Sequence, residues 1–147
     1  MPNREIREVC FDPLSEPVCL SLNLETDYPS TYQITSHDCS GTFQGTLMIG
    51  NNISGPTDII TLPINSSALD QQHIGWHFTI AAPSERKKVT YSIEINLSQG
   101  HQLLTPEPIH ISGHHKIEKV VIGFIKLVAH QSLSSDNNQQ FLAGNSV

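Results

Sequence analysis

The sequence predicts an all-β fold, a single antiparallel β-sandwich of about seven to nine strands. Three observations carry this expectation. Apolar and polar residues alternate over whole segments, which is the period of a strand with one face in the core and one in water. Those segments are short, and about every ten to fifteen residues they give way to clusters of Gly, Pro, Asn, Asp and Ser, the residues that build turns. Charged residues are only 15% of the chain, a composition suited to strands and turns rather than to solvent-facing helices rich in Glu, Lys, Ala and Leu.

Taken in order, the first clear strand is "PVCLSLNLE", where Val18, Leu20, Leu22 and Leu24 share one face and Cys19, Ser21, Asn23 and Glu25 the other. Weaker alternation marks Tyr32 to Ile34, Phe43 to Ile49, Ile60 to Ile64 and Trp76 to Ile80. The single tryptophan, Trp76, falls on the same face as Phe78 and Ile80 and reads as a core aromatic. Ahead of it, "SALDQQHI" is a short helical turn that Ser66 or Ser67 is placed to cap. "KVTYSIEINLS" repeats the strong pattern with Val89, Tyr91, Ile93, Ile95 and Leu97 inward, and Ile109 to Ile111 is a shorter strand. Turns fill "TDYPS", "HDCSG", "GNNISGPTD", "APSERKK" and "LTPEP". This spacing fits an immunoglobulin-like or jelly-roll topology.

Residues 115–130 admit two readings. On a helix, Ile117, Val120, Val121, Phe124, Ile125 and Val128 form one stripe, which would make the fold α+β. On a strand, the wealth of Val, Ile and Phe is at home, whereas Gly123 inside a helix costs about 1 kcal/mol. The all-β context favours the strand, with Gly123 at a bulge or a close packing contact. The unbroken "VVIGFI" then fits a central strand buried on both faces. At a sheet edge, the same run would offer unpaired backbone for dimerisation. The domain is assigned to 1–130, and a polar tail to 131–147 with Phe141 and Leu142 as anchors.

Length and charge narrow the function classes. A chain of 147 residues makes one self-sufficient domain. Net charge is −6 with eight Lys and Arg, so nucleic acid and anionic membrane surfaces are disfavoured partners. The N-terminal "MPNREIREVCFDPLSEP" lacks the apolar stretch of a signal peptide, and no long apolar run marks a membrane span. Cys10, Cys19 and Cys39 are an odd set without C-x-x-C spacing, which suits reduced thiols in a cytoplasmic protein.

Catalytic motifs are mostly missing: there is no G-x-S-x-G elbow, P-loop, G-x-G-x-x-G or H-E-x-x-H. Ser36, His37 and Asp38 are consecutive, so strand alternation turns them apart, and Cys39 beside them reads as an ordinary loop thiol. The histidines need more care. His110 and His114 have the i, i+4 spacing that chelates on a helix, but on a strand it spans about 13 Å. His114 and His115 would face opposite ways if extended. They could meet His101 and His110 around a divalent metal such as zinc only if "SGHH" were a hairpin loop between "IHI" and "KIEKVV". Closely spaced histidines of this kind resemble the metal ligands of cupin-type jelly rolls. That resemblance implies a small-ligand, carbohydrate or metal-binding role, or a small enzyme, using residues 101–115. The H-x-H with a Glu three or four positions later is absent, so no residue is carried over.

The expectation is therefore a non-catalytic protein-interaction or assembly module without a cofactor, whose partner is a protein, a second copy included. Ile117, Val121, Phe124, Ile125, Phe141 and Leu142 are the residues expected to form or shape its contact. The metal-dependent or sugar-binding jelly roll is the alternative.

Overall fold

A computed structural model describes residues 6–53, 55, 57–83 and 87–129. Alternation builds what it predicts. The strands are β1 (Arg7–Phe11), β2 (Val18–Glu25), β3 (Ser30–His37), β4 (Phe43–Asn51), β5 (Thr57–Thr61), β6 (His73–Ile80), β7 (Val89–Gln99), β8 (Gln102–Leu103), β9 (Ile109–His115) and β10 (Lys119–Ala129). They form two sheets. The first runs β1-β10-β6-β3-β4; in the second, β5-β2-β7 is extended by β8 and β9, both paired with β7. Pairing is antiparallel except between β1 and β10, which run parallel from Arg7 opposite Ile125 to Phe11 opposite Ala129. The ten strands exceed the expected seven to nine by one, and β1 and the two-residue β8 are the two that alternation did not mark.

Hydrogen bonds hold each sheet together edgewise but do nothing to hold one sheet against the other; that falls to the inner side chains. Val18, Leu20, Leu22 and Leu24 of β2 are buried beside Ile93, Ile95 and Leu97 of β7. From the first sheet they meet Val9, Phe11, Tyr32, Ile34, Ile74, Trp76, Phe78, Ile80, Val121, Ile125 and Leu127 in one continuous core. Each such side chain contributes roughly 1.5–3 kcal/mol by leaving water, so the two-sheet sandwich is the arrangement that satisfies both inner faces.

Four glycines in strands have a common reason. Gly50 lies opposite Tyr32, Gly75 opposite Phe124, Gly113 opposite Tyr91 and Gly123 opposite Trp76. A Cβ on Gly123 would stand 2.5 Å from Trp76 Cζ2, and one on Gly75 2.8 Å from Phe124 Cε1. Each ring lies across its partner's bare backbone. Gly123 thus marks the close packing contact rather than a bulge.

Residues 119–129 are strand, the reading the all-β context favours, because Val121, Gly123, Ile125 and Leu127 alternate onto the core. Several finer expectations change. That strand is neither an edge, since β1 and β6 flank it, nor buried on both faces. The strand expected over Ile60 to Ile64 is β5, Thr57–Thr61; Pro63 has no N–H to continue the ladder, although Leu62 still donates to the Val18 carbonyl at 2.8 Å. The short 3-10 turn spans Ser66–Ala68 with Asn65 at its N-cap and no side-chain cap; Ser66 Oγ instead donates to the Glu16 carbonyl at 2.9 Å. The tail 131–147, with Phe141 and Leu142, lies outside the described residues.

One buried amide ties the sheets at their end. Gln99, closing β7, donates from Nε2 to the carbonyls of Asp12 at 2.6 Å and Glu16 at 2.9 Å, while its Oε1 accepts the Asp12 N–H at 2.9 Å. The connection that carries the chain from β1 in one sheet to β2 in the other is held by this side chain.

Candidate interaction surface

The two sheets differ in what their outer faces present. Across the second sheet, Ser21, Asn23 and Glu25 of β2 line up with Ser92, Glu94 and Asn96 of β7, and His110, Ser112 and His114 of β9 continue the polar surface. Across the first sheet, the register sets Ile122 in line with His77, Gln33 and Ile49, and Phe124 in line with Gly75 and Thr35. Val120 is 45% exposed, Ile122 55%, Phe124 40%, Phe43 56% and Ile49 72%. The apolar run "VVIGFI" therefore has one half in the core and the other half open.

Aromatic contacts organise one end of this face. His37 meets Phe124 edge-on with ring centres 5.1 Å apart and Phe43 at 5.7 Å. Its Nε2 shares a 2.9 Å hydrogen bond with Thr35 Oγ1, and its Nδ1 is buried without a partner. Beside it a depression of about 320 Å³ is lined by Ile6, Cys39, Ser40, Gly41, His73 and Phe124.

The β3–β4 turn that borders the depression is organised by Asp38. Its Oδ1 accepts the Ser40 N–H at 2.9 Å, the Ser40 hydroxyl at 2.7 Å and the Thr42 N–H at 2.9 Å, and His73 Nδ1 donates to its carbonyl at 3.0 Å. The Ser40 hydroxyl first, then the Thr42 amide, hold the Asp38 carboxyl below its ordinary value of 3.8. A lowered folded value means the carboxylate's contribution is present above pH 3.8 and lost as pH falls through that lower value. Asp38→Asn should therefore flatten the loss of stability over this acid window, read from urea midpoints at stepped pH. Identical acid slopes in both proteins would refute the role. Ser36 is buried and His37 lies on the outer face, so the Ser-His-Asp triplet does not converge, as strand alternation requires.

Of the residues expected at a contact, Phe124 is on the open face and Ile117 is exposed between β9 and β10. Val121 and Ile125 point the other way into the core, beneath that face rather than on it. Val120, Ile122, Phe43 and Ile49 were missed. The signal for two of them was the strand period itself: counting every second residue through "VVIGFI" sets Val120 and Ile122 with Phe124 and apart from Val121, Gly123 and Ile125.

The histidines are dispersed. "SGHH" lies inside β9, and β9 and β10 belong to different sheets, so no hairpin gathers it. His110 and His114 are exposed on the outer face, and His110 Nε2 shares a 3.1 Å hydrogen bond with Ser92 Oγ. His115 is buried on the inner side, donating from Nδ1 to the Ile117 carbonyl at 2.8 Å, with its ring edge-on to Tyr91. His101 sits in the β7–β8 turn, whereas His110 pairs with Glu94, roughly 20 Å back along β7 at the usual rise. Among the described residues no group of three or more His, Cys, Asp or Glu is placed to hold a metal. Cys10, Cys19 and Cys39 are free thiols. No described helix is long and apolar enough to cross a membrane. Compared with known protein families, curated proteins and solved structures, the chain matches none.

Proposed function

We propose that this chain is a non-catalytic protein-interaction or assembly module, an immunoglobulin-like or jelly-roll sandwich that presents the outer face of its first sheet to a protein. The observation that carries the reading is the exposure of Phe43, Ile49, Val120, Ile122 and Phe124 on one outer face, interleaved with His77, Gln33 and Thr35, while carboxylates, hydroxyls, amides and imidazoles dominate the other, whose exposed apolar side chain is Ile59 on β5. Leaving such side chains in water forfeits burial worth about 25 cal/mol per Å² of apolar surface, and contiguous apolar patches of a few hundred Å² mark contact sites. Four strands about 4.8 Å apart and three rows about 6.8 Å apart give a face of roughly 400 Å². The module works without a cofactor, in a reducing cytoplasmic setting where its thiols persist.

The alternative ligand site would use the second sheet, where a depression of about 540 Å³ is lined by Glu25, Thr90, Ser92, His110, Ser112 and His114 among others. Tyr91 also lines it but is only 6% exposed, so apart from imidazoles no open ring is offered on which a sugar could stack, which leaves it second. The test is comparative capture from extract of the source cells, using wild-type protein and the Ile122→Lys/Phe124→Lys double variant. Both substitutions are on the outer face, so the variant should keep its fold. The expected result is a partner held by wild type and lost by the variant; the same proteins held equally by both would overturn the proposal.

A further inference from the structure

We propose that one corner of the sandwich docks on an anionic lipid surface, with Ile117 entering the headgroup region and Lys87, Lys88, Lys116 and Lys119 around it facing the lipid phosphates. The inference goes beyond the protein-binding reading above and does not rest on it. A total charge of −6 disfavours such a surface for the chain as a whole. Screening over about 8 Å, however, makes a contact answer to the charges beside it rather than to the total.

The register builds the corner. β9 ends at His115, opposite Val89 of β7, and β10 begins at Lys119, opposite Ile80 of β6. The connections 81–88 and 116–118 therefore cross between the sheets side by side. Lys88 and Lys116 flank the same cross-strand pair, Val89 with His115, and like charges set across strands lower stability. An anionic partner relieves that repulsion. Four of the chain's eight Lys and Arg gather at this corner, and Glu118 is the one carboxylate among the described residues of the two connections.

Elsewhere the balance is reversed. At the opposite end, connections 12–17, 38–42, 62–72 and 100–101 carry Asp12, Glu16, Asp38 and Asp70 and neither Lys nor Arg. Glu25 and Asp27 share the end with the lysines but lie on the other side of β7, where β2 pairs. An anionic plane is thus drawn to the lysine corner and repelled by the far end.

Ile117 selects lipid among polyanions. It is 75% exposed in a three-residue connection, with exposed Lys116 and Glu118 beside it. Nucleic-acid phosphates would pair with the lysines but give the isoleucine nothing apolar to enter, and an acidic protein would need a cavity shaped to this apex. A bilayer supplies phosphates above and acyl chains beneath without any such fit. Leu14 is the contrast: 91% exposed between Asp12 and Glu16, it offers an apolar tip without cations.

The test is co-sedimentation of the full chain with vesicles of phosphatidylcholine alone and with about one third phosphatidylserine added. Each lysine near an anionic surface multiplies partition about fivefold, so three net positive charges should give wild type roughly a hundredfold preference for phosphatidylserine at low salt. High salt should abolish it. Lys88→Glu/Lys116→Glu keeps a like-charged pair, so it should unfold at the wild-type thermal midpoint while losing the preference. Ile117→Asn should bind phosphatidylserine vesicles about tenfold less, and Leu14→Asn as wild type does. Equal partition of wild type onto both vesicles, an undiminished preference in the lysine variant, or lost binding in Leu14→Asn would overturn the inference. If Ile117→Asn bound as tightly as wild type, the corner would be a site for a soluble polyanion such as an acidic protein, and the lipid assignment would be wrong.

Discussion

Replacing Gly123 by valine is expected to cost about 3 kcal/mol of folding stability or more. The first atom added already collides: a Cβ at 123 stands 2.5 Å from Trp76 Cζ2 and 2.6 Å from both Cε2 and Nε1. The indole cannot retreat, because Trp76 is a buried member of the core and Ile34 stands opposite it on β3. Either the ring leaves its rotamer or β10 moves off β6, and the two valine methyls enlarge both displacements. Set against a total stability of about 5–15 kcal/mol for a domain, this is a large fraction. The measurement is the urea midpoint followed by tryptophan fluorescence. Gly45→Ala is the control, since nothing lies within 4 Å of a Cβ there, and it should be neutral or gain about 0.4–1 kcal/mol. A Gly123→Val protein that unfolds at the wild-type midpoint would show that the ring does not depend on the bare backbone.

Gln99→Leu should cost about 1–3 kcal/mol, although volume is nearly kept. Leucine can occupy the space but cannot donate to the Asp12 and Glu16 carbonyls or accept the Asp12 N–H. The Asp12 N–H then loses its partner, whereas the Asp12 carbonyl keeps the Ser15 N–H at 3.2 Å and the Glu16 carbonyl keeps the Ser66 hydroxyl at 2.9 Å; the cost is that of one unpaired amide and two weakened carbonyls. Gln99→Glu separates packing from polarity: a carboxylate would face the two carbonyl oxygens that now receive Nε2, so its deficit should exceed that of leucine at neutral pH and shrink in acid. Urea midpoints of the three proteins at two pH values decide this. Equal stability of wild type and Gln99→Leu would mean that the β1–β2 connection is held by other contacts.

The fold was legible where alternation is strict. In β2 and β7 each inward residue is Val, Leu, Ile or Tyr and each outward one polar until the strand ends, so their burial follows directly from the sequence. β1 was not legible, because Val9 and Phe11 supply only two inward positions behind Arg7 and Glu8. Its partner, β10, lies at the other end of the described chain. The candidate surface was half legible. A run that is apolar at every position carries no phase, and selecting Ile117, Val121, Phe124 and Ile125 by spacings of three and four imported a helical period into a strand. Two of the four consequently sit in the core. The metal site required "SGHH" to be a hairpin loop; Gly113 instead lies under Tyr91 within β9, and the segment is extended.

The insertion of β10 between β1 and β6 bears on how the chain reaches its native state. Synthesis delivers β6, β3 and β4 early, and they can pair while the rest is still being made. The first sheet stays divided until residues 119–129 arrive, with β6 presenting an unfinished border throughout. Closure then requires the two extremes of the domain to find each other, a loop-closure cost met before any contact repays it. Such a non-local topology places refolding in the millisecond-to-second range rather than among fast helical folders. The vulnerable species is thus the nascent chain that still lacks β10, and holding it apart from its neighbours until that strand is in place is what efficient production of this protein demands.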